Sequence, residues 1–128
     1  MNGFVQQIML VALGGSVGAV ARFLSTTAIT AAWGRAFPFG TLIVNVTGAF
    51  AIGTLFVVFG ERLAGAQAWR ALFITGLLGG FTTFSAFSLE TVQLIEAGEP
   101  ARALLYVAAS VVLCLVACWI GMVLTRQL

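Results

Sequence analysis

The chain contains no histidine, no aspartate and no lysine. It also has only two cysteines, two prolines and a single tyrosine. These absences exclude several classes of function. Without histidine or aspartate there is no base for a nucleophile relay and no mixed ligand set for a zinc centre. No glycine-rich phosphate loop ending in lysine occurs, and six arginines spread over 128 residues form no basic patch for nucleic acid. Enzymatic activity and nucleic-acid binding are therefore not expected. Cys114 and Cys118 are one helical turn apart, where a disulfide has poor geometry, so they read as packing or lipid-facing residues.

Charge is absent over long distances, and this defines the architecture. Apolar residues make up 61% of the chain, and the mean hydropathy is +1.11. Uncharged runs cover Phe4 to Ala21, Ala36 to Gly60, Ala71 to Leu89 and Ala103 to Thr125, or 18, 25, 19 and 23 residues. Each is long enough for a transmembrane helix. We expect an all-α membrane protein with one four-helix domain over residues 1–128, and spans near 4–26, 37–60, 70–96 and 101–126. Ala19-Val20-Ala21 resembles a signal-peptide cleavage site, but no Lys or Arg precedes the first run, so a signal peptide is not expected. With four spans, Arg62, Arg70 and Arg126 fall on one side and Arg22, Arg35 and Arg102 on the other. Three against three gives no positive-inside bias. Insertion in both orientations, and from it an antiparallel dimer, is the natural expectation.

The third span is the unusual one. Residues 75 to 90 read Thr-Gly-Leu-Leu-Gly-Gly-Phe-Thr-Thr-Phe-Ser-Ala-Phe-Ser-Leu-Glu. Adjacent Gly79 and Gly80 each lower helix propensity by roughly 1 kcal/mol relative to Ala. The hydroxyls of Thr82, Thr83, Ser85 and Ser88 can compete for backbone carbonyls. One reading is a helix broken near the bilayer midplane, where transporters place ion sites. The other is a small-residue packing face, since Gly76 and Gly80 form a G-x-x-x-G pair.

Other polar residues carry a similar choice. In the first span Gly14 and Gly18 share a face for close packing, and Arg22 follows one turn later. A charge there is expensive when deep and unpaired, so Arg22 is expected at a helix end, as an interfacial anchor or lining a wet vestibule. Asn45 lies inside an apolar run as structural glue between helices or as a donor to a permeant species. Phe84 and Phe87 project from one face, as core or lipid contacts or as ring edges that attract an anion. Glu90 ends its uncharged run near an interface or pore mouth. Tyr106 and Ser110 share a face of the fourth span, either on a polar path with the two phenylalanines or bonded within the bundle.

Four motifs occur in order: Gly14-Gly15-x-x-Gly18-Ala19-x-x-Arg22; Pro38-x-Gly40-Thr41-Leu42-x-Val44-Asn45; Gly76-x-x-Gly79-Gly80-x-Thr82-Thr83-Phe84-Ser85-x-Phe87-Ser88-x-Glu90; and a weaker Tyr106-x-x-x-Ser110. Together they resemble the Fluc, or CrcB, family of fluoride channels, over essentially the whole chain. The third motif is the specific one. The resemblance implies a passive fluoride-selective channel of the cell inner membrane that exports fluoride and so gives fluoride resistance. It implies an antiparallel homodimer in the lipid bilayer with two pores. Residues matching Phe84 and Phe87 line the pores, Asn45 offers an amide, and Thr83, Ser85 and Ser88 form a polar track. Tyr106 and Ser110 face the pore, and Arg22 and Glu90 lie at the vestibule. The carbonyls of Gly79 and Thr82 would hold a structural sodium ion at the dimer centre.

One position departs from the family pattern: Ala86 stands where a threonine is usual, which removes a hydroxyl from that track. Two rival functions remain in view. A small multidrug exporter needs a carboxylate deep in the first span, which has only Arg22. An assembly subunit would use the glycine faces but has no need of Asn45 or of the alternating hydroxyls and phenylalanines.

Overall fold

The computed structural model of the protein describes residues 3–128. Gly34, Gly65 and Gly98 have φ of 81°, 76° and 77°, and one of them stands in each connection between the long helices. This left-handed backbone costs glycine little and other residues more. At the last connection the Gly98 N–H donates to the Ile95 carbonyl at 3.0 Å and the Glu99 N–H to the Leu94 carbonyl at 2.9 Å. Those two bonds are the Schellman cap that ends a helix. Pro100 then occupies the first turn of the next helix, where its missing donor is no loss.

The chain is thus divided into four helical segments long and apolar enough to cross a membrane, and no strand occurs among the described residues. We label them α1 (Gly3–Trp33), α2 (Phe39–Arg62), α3 (residues 67–81) with α4 (Phe84–Glu96), and α5 (Pro100–Gln127). Together α3 and α4 make up the third segment, Gln67–Glu96. With 31 residues, α1 is about 46 Å long at 1.5 Å per residue, beyond a hydrocarbon core of about 30 Å. It therefore continues past residue 26 to Trp33. Two stretches, Val57–Arg62 in α2 and Arg70–Leu78 in α3, are wound as wider π-helix. Nothing in their composition marks this.

The helices pack as two intimate pairs, α3 along α1 and α5 along α2. Glycine makes both seams. A Cβ added at Gly14 or Gly18 would collide with the Leu72 or Leu77 carbonyl, and one at Gly80 with the Gly15 carbonyl. On the other seam, a Cβ at Gly53 or Gly121 would strike the Cys118 or Phe50 carbonyl. Close backbone approach of this kind is what small residues permit between membrane helices. The fully buried core is small, with Val44, Val57 and Tyr106 its largest members, while many large apolar side chains face outward.

Both readings of the third segment hold, at different residues. Gly76 and Gly80 are packing glycines against α1, and Gly79-Gly80-Phe81 remain helical. The helix breaks two residues later. Thr82 (φ −83°, ψ 156°) and Thr83 (φ −151°, ψ 121°) are extended, near the middle of the segment. The glycines stay helical because the seam with α1 holds them. The threonines yield because other groups satisfy their freed backbone.

Candidate functional site

The freed backbone at the break is bound by one side chain from α2. Asn45 donates Nδ2–H to the Thr83 carbonyl at 2.9 Å, and its Oδ1 accepts the Thr83 N–H at 2.8 Å. This two-bond pairing imitates a strand partner for one extended residue. Thr83 then caps α4: its Oγ1 accepts the Ala86 N–H at 3.1 Å, as a threonine N-cap does. Asn45 therefore is glue between helices, because an extended residue in an apolar layer must find both a donor and an acceptor.

These contacts change what two carbonyls can do. In an unbroken helix the Gly79 carbonyl would accept the Thr83 N–H, and the Thr82 carbonyl the Ala86 N–H. Both donors are diverted, one to Asn45 Oδ1 and the other to Thr83 Oγ1. Carbonyl oxygens released from a helical ladder are hard donors of the type that binds alkali and alkaline-earth cations. Gly79 is exposed on the single chain. The residues thus fit a carbonyl-bound cation without any charged ligand.

Beside the break runs a groove of about 470 Å³, walled mostly by apolar side chains. Asn45, Thr82, Thr83, Phe84, Phe87 and Ser110 all line it, with Gly79 at its edge and Cys114 further along α5. Phe84 and Phe87 have ring centroids 5.2 Å apart, inclined at 48°. The two differ in setting: Phe84 is 77% exposed, whereas Phe87 is 9% exposed and packs on Tyr106 with centroids 5.1 Å apart. Ser110 is buried beside the groove, and its hydroxyl has no hydrogen-bond partner within the described chain.

Other expected residues fall elsewhere. Ser85 and Ser88 do not line the groove. Ser85 Oγ is 3.3 Å from Thr83 Oγ1, and the Ser88 hydroxyl donates back to the Phe84 carbonyl at 2.9 Å. Tyr106 sits one turn beyond Ser110, fully buried, and donates to Glu90 Oε2 at 2.6 Å. Thr41 donates to Glu90 Oε1 at 2.7 Å. The Glu90 carboxyl group thus receives two hydroxyls from two other helices. Thr41 is the residue that sequence reasoning missed as a partner. Its only signal was a hydroxyl at the start of α2 within a quoted motif.

Arg22 corrects an expectation. It lies well inside α1, not at that helix's end. Its Nε donates to the Gly80 carbonyl at 3.1 Å. The end it occupies is that of α3, where unpaired carbonyls carry the negative pole of the helix. The seam explains the reach: Gly18 abuts Leu77 and Phe81, so the residue one turn along arrives at Gly80.

A sequence profile described as "CrcB-like protein, Camphor Resistance (CrcB)" matches residues 9–122. Among similar proteins, one from Magnetococcus marinus named "Fluoride-specific ion channel FluC" is 50% identical over 120 residues, spanning 94% of this chain and 98% of its own. A protein of the same name from Coxiella burnetii (strain Dugway 5J108-111) is 48% identical over 122 residues, with 94% and 98% covered. Another of that name, from Geobacter sulfurreducens, is 50% identical over 121 residues, also with 94% and 98% covered.

Proposed function

The chain belongs to the CrcB family, and we propose that it is a passive fluoride-selective channel that exports fluoride from the cytoplasm across the inner membrane. It is a multi-pass membrane protein and not an enzyme. Its working form is an antiparallel homodimer with two pores. The observation that carries this reading is the groove at the break, where weak donors and phenyl rings gather without a full charge.

Fluoride is small and tightly hydrated, so a pore has to replace its water without trapping it. Numerous weak partners meet that need better than one strong cation. Asn45 uses one amide proton on Thr83, leaving its second N–H as a donor. The Ser110 hydroxyl, buried and unpartnered in the chain, is another. The rings of Phe84 and Phe87 present electropositive edges. The hydroxyls of Thr83, Ser85 and Ser88 extend the track along α4, and Tyr106 borders it. Arg22 and Glu90 belong to the vestibule in this reading: Arg22 is bonded to the Gly80 carbonyl and Glu90 to the Thr41 and Tyr106 hydroxyls, and neither lines the groove. The carbonyls of Gly79 and Thr82 would hold a structural sodium ion between the two subunits, which when bound would supply a fixed positive potential near the anion path.

The test is fluoride efflux from liposomes carrying the purified protein, read with a fluoride electrode, with chloride efflux in parallel. Rapid fluoride loss with chloride retained is the expected result. Retention of fluoride by a dimeric preparation would overturn the reading and favour an assembly subunit.

A further inference from the structure

Asn45 is assigned above to the anion path, but both of its hydrogen bonds are to backbone groups. Those groups belong to Thr83, 38 positions away along the chain. The Thr83 N–H that Asn45 Oδ1 accepts is the one that an unbroken helix would give to the Gly79 carbonyl. One residue therefore decides whether that carbonyl is spent on the helix or left for a cation. The next carbonyl, that of Gly80, is already served by the Arg22 guanidinium at 3.1 Å. Along this turn a fixed positive group satisfies Gly80, while Gly79, exposed on the single chain, is left without its helical donor.

We propose that Asn45 is the positioning residue of the cation site: by capturing the Thr83 N–H it keeps the helix open and presents the Gly79 carbonyl to sodium. The proposal rests on the sodium reading above and adds to it a dependence of cation binding on a side chain that does not touch the cation. The two duties of Asn45 use different atoms. Oδ1 holds the Thr83 amide and so serves the cation, whereas the second Nδ2 proton serves the anion path. Substitutions can separate them, because aspartate keeps an acceptor for the Thr83 N–H and lacks the amide donor, whereas leucine of similar size has neither.

The experiment measures the thermal unfolding midpoint of the purified protein in detergent. Sodium chloride is raised against N-methylglucamine chloride at constant ionic strength, for wild type, Asn45→Asp and Asn45→Leu. Ligands that bind only the folded protein raise its midpoint with concentration. We expect the midpoint to rise with sodium in wild type and Asn45→Asp, and to be insensitive to sodium in Asn45→Leu. A general loss of packing lowers all midpoints without removing the sodium response, so the response itself is the readout. If Asn45→Leu does not give folded protein, Asn45→Ser, one bond too short to reach both Thr83 groups, takes its place. A sodium response in all variants equal to wild type would overturn the role of Asn45 and leave the sodium site standing. Loss of the response in Asn45→Asp as well as Asn45→Leu would also overturn it, since the acceptor would not be the deciding atom. Absence of any response in wild type would remove the sodium reading itself, and this inference with it.

Discussion

Phe84 and Phe87 are three positions apart and in ring contact, yet one is open to the exterior and the other is held in the core by Tyr106. Phe87 is thus the ring whose edge is fixed in direction. Replacing it with isoleucine keeps apolar volume but removes the aromatic edge. We expect Phe87→Ile to abolish fluoride efflux while the protein still elutes as a dimer on size exclusion; loss of the dimer would instead mark Phe87 as an assembly residue. Position 86 concerns the track on α4. Ala86 contributes a backbone N–H to the Thr83 cap and no hydroxyl of its own. Ser85 and Ser88 remain, so both wild type and Ala86→Thr should conduct. Efflux measured side by side gives the weight of that hydroxyl, and equal rates would mean that it is dispensable.

Glycine acts here at the level of helix pairs. Gly18 on α1 abuts the α3 backbone at Leu77 and Phe81, whereas the nearest atom to a Cβ on Gly15 is the Gly76 carbonyl oxygen at 3.8 Å, an ordinary contact. Overpacking a tight seam typically costs about 1–3 kcal/mol. Gly18→Ala should destabilise the protein by that order and Gly15→Ala hardly at all, as judged by thermal unfolding of each variant in detergent. Equal effects would mean that the α1–α3 seam is looser than its geometry. The same seam shows how much of this element could be read beforehand. Gly14, Gly18, Gly76 and Gly80 announced themselves by four-residue spacing. That they would stay helical, and that Thr82-Thr83 would open instead, was not readable, because propensity ranks glycine as the weaker residue. Packing overrides propensity at Gly80, and Asn45 stabilises the opening at Thr83.

On the scale of the whole molecule, the groove and Gly79 lie open on a chain whose outer surface is largely apolar. A four-helix unit in lipid can leave such a surface to hydrocarbon, but the freed carbonyls at the break need protein, water or an ion. A second copy in the opposite orientation supplies the enclosing wall in the function proposed above. With Arg22 well inside α1, Arg62, Arg70 and Arg126 on one side face Arg35 and Arg102 on the other, which leaves only a weak cue for a single orientation. Reporters fused to the C-terminus, one active only inside the cell and one only outside, should therefore both give signal. Activity of one reporter alone would exclude dual insertion. The ion pair of Glu61 with Arg126 joins the end of α2 to the end of α5, and Arg62 also bonds the Thr125 carbonyl. Exposed pairs of this kind contribute little stability. They bear on how the ends are tethered, and hardly on which way the chain inserts.

By itself the sequence determined that this chain is four apolar helices, where the seam between the first and third has its glycines, and which family its motifs match. Those properties are local: hydropathy accumulates over a run of neighbours, and a packing face needs only residues spaced by a turn. Only the tertiary structure decided where the third segment breaks, what Asn45 holds, which end Arg22 caps and that Thr41 and Tyr106 share Glu90. Each of these joins residues far apart in the chain, Asn45 with Thr83, Arg22 with Gly80, Thr41 with Glu90. A buried polar group takes whatever partner packing brings within about 3 Å, and no spacing along the chain encodes which partner that is.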